Sequence, residues 1–412
     1  MATGSHGKAQ VKTGASAMQD VQSVRMNRWV ILSGYALLAA CTQFLWLAYA
    51  PITTQTHHVM GVSQGAVGDL AGIFPFMYVV VALPAGRWLD AQFTRALSLG
   101  AVLTAAGGVL RLAGPTSYGW ALAGQFVAAL GQPFVLNSIT KVAAHHFPSR
   151  ERVVAISIGS VALFIGILAA VLTGTPLLHA GGLAVLLQVQ AGVAVLAAVW
   201  VLVAIRTPAA FPGDPSVAVS LRWLRSDRLM WLLAGLLFIG MGVFNAVATW
   251  LDSILTHFGH GSASGYLIAL MTVGGIVGGA LLPGIVASRD KRRAMLGVAV
   301  AVSAVAFAVI AGIHAPIVGG IVLFAAGLFL LAGLPVVLDW SELHAGPERA
   351  GGAAGFLLLA GNLGGVVLVL IVQAAIGNPY ISLGALSVCC LLGLAVVARL
   401  PARSGLSNTA QR

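Results

Sequence analysis

Apolar runs of about 20 residues, divided by short polar gaps, repeat along the chain from residue 29 to residue 398. They fall at 29–51, 67–85, 96–113, 119–137, 153–174, 182–205, 229–251, 264–287, 294–312, 316–338, 352–374 and 379–398. A helix that crosses the hydrocarbon core of a bilayer needs about 20 mostly apolar residues. The runs therefore predict an all-α membrane protein with twelve transmembrane helices. They are rich in Gly and Ala. Small residues let helix backbones approach closely in lipid, where water no longer drives packing.

Composition narrows the class further. The 412 residues are 59% hydrophobic and 8% charged, against about 25% charged in a soluble domain. That excludes an ordinary soluble enzyme, a nucleic-acid binder and a disordered chain. Cys41, Cys389 and Cys390 all lie in apolar runs and offer neither a disulfide framework nor metal-ligand spacing, so no cofactor is expected.

The net charge of +11 gains meaning from its placement. Every Lys and Arg except Arg111 lies in a terminal tail or in the second, fourth, sixth, eighth or tenth gap. There is no single basic stripe, and no nucleic-acid partner is expected. The positive-inside rule places both termini and all even gaps in the cytoplasm, in an inner membrane with the lipid bilayer as partner. Met1 to Asn27 lacks the apolar core and cleavage site of a signal peptide. The expected organisation is a cytoplasmic, disordered tail (1–28), a six-helix bundle (29–205), a cytoplasmic linker (206–228) with Pro208, Pro212 and Pro215, a second bundle (229–398) and a cytoplasmic tail (399–412). A monomer is the expected state.

The two halves repeat each other. Arg28 and Phe44 match Arg228 and Phe244, at an offset of 200. Gly86 and Arg95 match Gly284 and Arg293, at 198. The run Gln132-Pro-Phe-Val-Leu-Asn137 matches Leu334-Pro-Val-Val-Leu-Asp339, at 202. A six-plus-six parallel repeat is the layout of a two-bundle transporter, which holds its solute near the midplane and rocks the halves alternately open.

Gly86-Arg-Trp-Leu-Asp90-Ala-Gln-Phe-Thr-Arg95, between spans two and three, resembles the loop signature of the major facilitator superfamily. Here Gly86 lets the helix end press on the other half. Asp90 is expected to cap the third span and pair with a cytoplasmic Arg as a latch. The charges of the second-half copy, Arg292 and Arg293, are expected to be solvated topogenic residues. Gln43-Phe-Leu-Trp46-Leu-Ala-Tyr49, Gly124-Gln125-Phe126, Ser157-Ile-Gly159, Leu334-Pro-Val…Glu342-Leu343 and the Asn362 region resemble the family of heme and choline transporters related to the subgroup-C retrovirus receptor, with its vitamin-B6-carrying relative. That resemblance implies Trp46 as a wall of the solute box, with Gln132 and Asn362 as its polar positions, and places Glu342 with the gate. Two positions depart from the family. Asn245 stands where a Tyr can cover a choline ammonium, and an amide position in span five is apolar, near Leu163 or Phe164. A quaternary ammonium needs ring faces, so the departure shifts expectation to a neutral or zwitterionic solute.

Polar groups at membrane depth cost free energy unless paired. Gln43, Gln132, Asn137, Asn245 and Asn362 are such groups. Each is either interhelical glue or part of a lined cavity suited to a small uncharged solute, and together they favour the cavity. Pro133 and Pro335 kink spans four and ten, as hinges or as tolerated bends. Trp46 and Tyr49 are spaced to share a helix face, and both are expected to touch the solute. Trp250 is expected to be an interface anchor. Arg111 and Asp69 reach the same depth on the second and third spans. They are expected either to pair on the outer side or to leave Arg111 snorkelling. His57, His58, His257 and His260 fall in equivalent outer loops and are expected to hold no metal.

These features predict a secondary transporter, a uniporter or symporter, of a small organic solute by alternating access. The alternative is a proton-coupled exporter of broad specificity, although a cation exporter would carry a deep acid that the spans lack. An enzyme would need acid–base or metal-ligand groups clustered at one depth, and ATP use a Gly-rich phosphate loop; neither is present.

Overall fold

The structure is a computed structural model that describes residues 14–206, 211, 221–260, 263–375 and 377–402. The described residues contain helices and no strand. In chain order the helices are α1 (Gly14–Trp46), α2 (Thr53–Met60), α3 (Gln64–Ala91), α4 (Phe93–Leu110), α5 (Tyr118–Leu136), α6 (Ile139–His146) and α7 (Ser149–Ala204). The second half holds α8 (Arg228–His257), α9 (Ser264–Ser288), α10 (Arg292–Gly312), α11 (Pro316–Leu330), α12 (Gly333–Ala345), α13 (Ala350–Ala374) and α14 (Pro379–Ala398).

Eleven described helical stretches are long and apolar enough to span a membrane. The longest, the 56-residue α7, is interrupted at Gly181 and Gly182, where Gly182 has φ +69°. That left-handed conformation favours glycine. The turn divides α7 into spans five and six, and the twelve expected crossings are all present. The other joints use similarly local chemistry. Ser63 accepts the Ala66 N–H, Asp227 the Met230 N–H and Asn378 the Tyr380 N–H, each supplying a helix start with an acceptor. Asp290 takes φ 47° in the tight turn from α9 to α10, a conformation that Asp tolerates better than most residues.

Two boundaries differ from those expected. Helix α1 begins at Gly14, well inside the segment expected to be a disordered tail, and its apolar part covers Arg28–Trp46. It also stops five residues short of the expected end, because the chain turns into a short 3-10 segment, Ala50–Ile52. Most of the linker, residues 1–13 of the first tail and most of the last tail lie outside the described residues.

Spans four and ten are both broken, one between α5 and α6 and the other between α11 and α12. Proline has no N–H to donate. At Pro335 the Leu331 carbonyl instead accepts a tighter bond from the Leu334 N–H at 3.3 Å. The repeat-related prolines sit on opposite sides of their breaks: Pro133 precedes its break and Pro335 follows its own.

The two bundles meet chiefly along two seams, α3 against α13 and α7 against α9. Gly86 lies in the first seam. A Cβ there would come within 2.8 Å of the Gly351 carbonyl oxygen, so glycine is what lets the backbones touch, as expected from the loop signature.

Candidate functional site

The even, arginine-rich gaps gather at one end of the bundle, called here the basic end. At this end the α3–α13 seam is fastened by charge. Asp90 accepts the Gly351 N–H at 2.9 Å and the Gly352 N–H at 2.8 Å. Those groups open α13, where unpaired N–H groups and the helix dipole favour an anion. Lys141 on α6 completes the latch, with its Nζ 3.0 Å from Asp90 Oδ1 and 2.9 Å from the Glu348 carbonyl oxygen. Thr140 donates to the Ala350 carbonyl at 2.9 Å. A second clasp joins Arg152 Nη1 to Glu342 Oε1 at 2.7 Å across the halves. Arg152 also donates to the Ala144 and Phe147 carbonyls.

The latch therefore departs from expectation in two ways. Asp90 caps the eleventh span rather than the third, and its partner is Lys141 rather than an Arg. Arg95 is no part of it; its Nη1 bonds Gln92 Oε1 at 3.1 Å on the exposed surface. Lys141 and Arg152 were missed as partners because nothing local in the sequence links them to residues in other helices. In the second half, Arg292 is not a solvated topogenic residue. It is buried, with its Nη2 2.8 Å from Asp339 Oδ2. Arg293 is exposed, as expected, and donates to the Ala398 carbonyl at 3.0 Å.

Burial lowers the Lys141 ammonium from its ordinary value, and Asp90 opposes that shift. His145 and His146, at the end of α6, are pushed down to about 4 by burial; for His145 the charges of Lys141, His146 and Arg152 add to it. The sign follows directly. The folded histidines stay neutral while unfolded ones take a proton near pH 6.5. Stability is fully present above that value and falls as pH drops toward about 4. Thermal midpoints measured across this window should decline in the unaltered protein and stay flatter in His145→Gln/His146→Gln.

Beyond the latch, toward the midplane, lies a narrow cavity of about 90 Å³ between the bundles. Gln43, Trp46, Gln132, Asn245 and Asn362 line it, as the sequence predicts. So do Phe74, Phe164 and Phe244, giving four aromatic rings with Trp46. Phe164 and Phe244 meet edge to face across the halves, with centroids 6.3 Å apart. The broken spans supply further wall, through Leu136 on α5 and through Leu331 and Gly333 beside the second break. No ionised side chain lines the cavity among the described residues.

The amides retain unused hydrogen-bonding capacity. Among the described residues, the Gln132 and Asn245 side chains make no hydrogen bond within the protein. Gln43 reaches only Thr42 Oγ1, at 3.4 Å. Asn362 donates to its own helix at the Leu358 carbonyl, 2.8 Å away, which leaves its Oδ1 for a solute. Trp46 is fixed by its Nε1, which donates to the Ala71 carbonyl at 2.9 Å.

A wider space of about 690 Å³ shares Trp46, Phe244, Asn245 and Asn362 with this cavity. It continues past Ala50, Gly68, Thr249 and Val369 toward the end opposite the basic one. The cavity is thus open toward the far end and sealed at the basic end.

Two expected solute residues are not there. Asn137 is buried in the α3–α13 seam, where it accepts from the Tyr78 hydroxyl and donates to the Ala82 carbonyl at 2.8 Å. Tyr49 follows the end of α1 and is buried in a separate apolar cluster with Leu183, Leu186 and Leu187. It shares no face with Trp46. Nor do Asp69 and Arg111 form a pair. Asp69 is exposed, whereas Arg111 is wholly buried beside Tyr49, with its Nη1 3.3 Å from Gln125 Oε1. Gln125 in turn donates to the Leu70 and Trp46 carbonyls at 3.3 and 3.5 Å. Arg111 is thus bracketed by neutral groups and does not snorkel. Replacing Gln125 by Leu would leave the buried guanidinium with one acceptor fewer, and is expected to cost about 2 kcal/mol in unfolding experiments. Trp250 donates to the Val369 carbonyl at 3.0 Å, which ties α8 to α13. The His57 and His58 rings lie with centroids 3.8 Å apart, tilted by 36°, and no three His, Cys, Asp or Glu come together as a metal site among the described residues.

Two six-helix bundles around a central cavity, open at one end and clasped at the other, define a secondary transporter of a small organic metabolite. The chain belongs to the Major Facilitator Superfamily, which it matches over residues 31–369. It is similar to solute carrier family 49 member A3 of Danio rerio, at 29% identity over 85% of this chain and 79% of that protein. A choline/ethanolamine transporter of Danio rerio is 25% identical over 84% of this chain and 77% of its own length. Among solved structures, the human organic anion transporter MFSD10 aligns with a TM-score of 0.73 at 14% identity, over 90% of this chain and 99% of that one. FucP in its outward conformation aligns with a TM-score of 0.69 at 16% identity, over 90% and 99%. Both likenesses concern the fold.

Proposed function

We propose that the solute is a small amino alcohol of the choline and ethanolamine class. We further propose that the protein works as a monomer in an inner membrane, with its basic end and both termini in the cytoplasm. The observation that carries the solute is the cavity lining: four aromatic rings around amides that have spare hydrogen-bonding capacity. Ring faces attract an ammonium group without a carboxylate. Amides can satisfy a hydroxyl as donor or acceptor. Asn245 does remove one ring from the family's expected box, and Phe74, Phe164 and Phe244 supply others. The names of the choline/ethanolamine relatives support the same class. The orientation rests on the alternation of basic gaps.

A second reading is favoured by Asn245 itself. Its amide, unspent within the protein, suits a neutral ring solute such as a vitamin B6 form. Equilibrium dialysis of the purified protein against labelled choline, ethanolamine and pyridoxine separates the two. Saturable choline or ethanolamine binding, lost in Trp46→Ala, supports the amino-alcohol reading. Pyridoxine binding without either of the others supports the second reading, and binding of none of them removes both.

A further inference from the structure

A second, lateral cavity of about 580 Å³ lies at the basic end, on the outer flank of the α3–α13 seam. It is lined by Arg87, Arg222 and Arg225 together with Leu83, Trp231 and Phe356. These residues come from four elements. Leu83 and Arg87 belong to α3, in the first bundle. Arg222 and Arg225 belong to the 3-10 turn Leu221–Arg225 that leads into α8. Trp231 and Phe356 belong to α8 and α13, and their rings meet edge to face at 5.0 Å. No carboxylate lines the cavity among the described residues.

Its depth is fixed by its neighbours. Arg87 follows Gly86 of the seam, and Trp231 sits one turn inside the start of an apolar span at Arg228. This is the level at which aromatic rings and guanidinium groups meet lipid headgroups. Trp231 is 55% exposed there.

We propose that this cavity binds one anionic diacyl phospholipid. The arginines take the phosphodiester, and an acyl chain runs along Leu83, Trp231 and Phe356. Guanidinium groups pair with phosphate through two parallel hydrogen bonds, and basic pockets between membrane helices suit anionic headgroups. The apolar wall gives a lipid an advantage that a free phosphate lacks. A lipid seated here touches both bundles and the linker turn beside the Asp90 latch, so it holds the basic end shut. The inference does not depend on which solute is carried.

The test uses the purified full chain in dodecyl maltoside, with dioleoyl phosphatidylglycerol and dioleoyl phosphatidylcholine added at equal mole fraction. Native mass spectrometry reads the lipid retained. One phosphatidylglycerol should be retained in preference to phosphatidylcholine. Arg87→Gln/Arg225→Gln should weaken that retention roughly 30-fold, and Arg87→Gln alone about fivefold. The charge-matched pair Arg289→Gln/Lys291→Gln, on the same face but in another depression, should leave it unchanged. Thermal unfolding without added lipid checks that each variant is folded. Equal losses in the two double variants, or no preference in the unaltered protein, would overturn the proposal in favour of diffuse surface charge. Displacement of the lipid by glycerol 3-phosphate would overturn it in favour of a free-phosphate site.

Discussion

Asp90→Asn is expected to abolish most transport and to lower stability by about 3 kcal/mol. The Asp90 and Lys141 side chains are 1% and 3% exposed. Replacing the carboxylate by an amide leaves the buried ammonium facing two uncharged acceptors, the new amide oxygen and the Glu348 carbonyl. It also removes the negative charge that holds the first N–H groups of α13. A buried charge without its partner is among the costliest single changes in a folded protein. If that loss falls only on the state closed at the basic end, the population of that state relative to its opposite drops by about two orders of magnitude. A pair of apolar or neutral residues avoids the lone charge, so Asp90→Asn/Lys141→Met should regain much of the thermal stability. Transport in this double variant should stay well below that of the unaltered protein. Recovery of both together would show that the pair is scaffold and not a latch.

Trp46→Ala carries the second large effect. The ring lines the solute cavity and also lies where that cavity widens toward the far end. A desolvated cation over an indole face gains about 2 kcal/mol, so its loss should weaken choline affinity roughly 30-fold. Trp46→Phe keeps a ring but loses the bond from Nε1 to the Ala71 carbonyl. It should fall between the two. Equal damage from Phe and Ala would place the effect in the Ala71 tie rather than in the ring. The readout is affinity in equilibrium dialysis, with thermal unfolding alongside to show that both variants are folded.

How much of this was legible in the sequence depends on the kind of information each feature needs. Hydropathy and length fixed the spans, since nothing but a helix can carry so long an apolar run through lipid. The repeat and the Gly86–Arg95 loop pointed to the two-bundle fold. Gln43, Gln132, Asn245 and Asn362 stood out because an amide at membrane depth must have a purpose.

Depth, however, does not give direction around a helix. These helices are apolar on every side, so no amphipathic stripe says which face looks into the cavity. Asn137 and Gln132 share a span, yet one faces a seam and the other the cavity. Asp69 and Arg111 match in depth and still point to different places. Tyr49 fails for another reason. Its spacing from Trp46 assumed a continuous helix, and α1 ends at Trp46.

The clasps needed tertiary information. Asp90 meets Gly351 at a separation of 261 residues, and Arg152 meets Glu342 at 190. No local pattern records such a partner. Phe74, Phe164 and Phe244 were hidden by their ordinariness, since phenylalanine in an apolar span signals nothing until the walls around it are known.

The central claim is that a solute crosses the membrane through the cavity lined by Trp46, Gln132, Asn245 and Asn362. Uptake of labelled choline into proteoliposomes of the purified protein, compared with Trp46→Ala and Asp90→Asn, tests it most directly. Saturable uptake by the unaltered protein is predicted, with affinity lost in the first variant and turnover lost in the second. Undiminished uptake by folded Trp46→Ala protein would contradict the account.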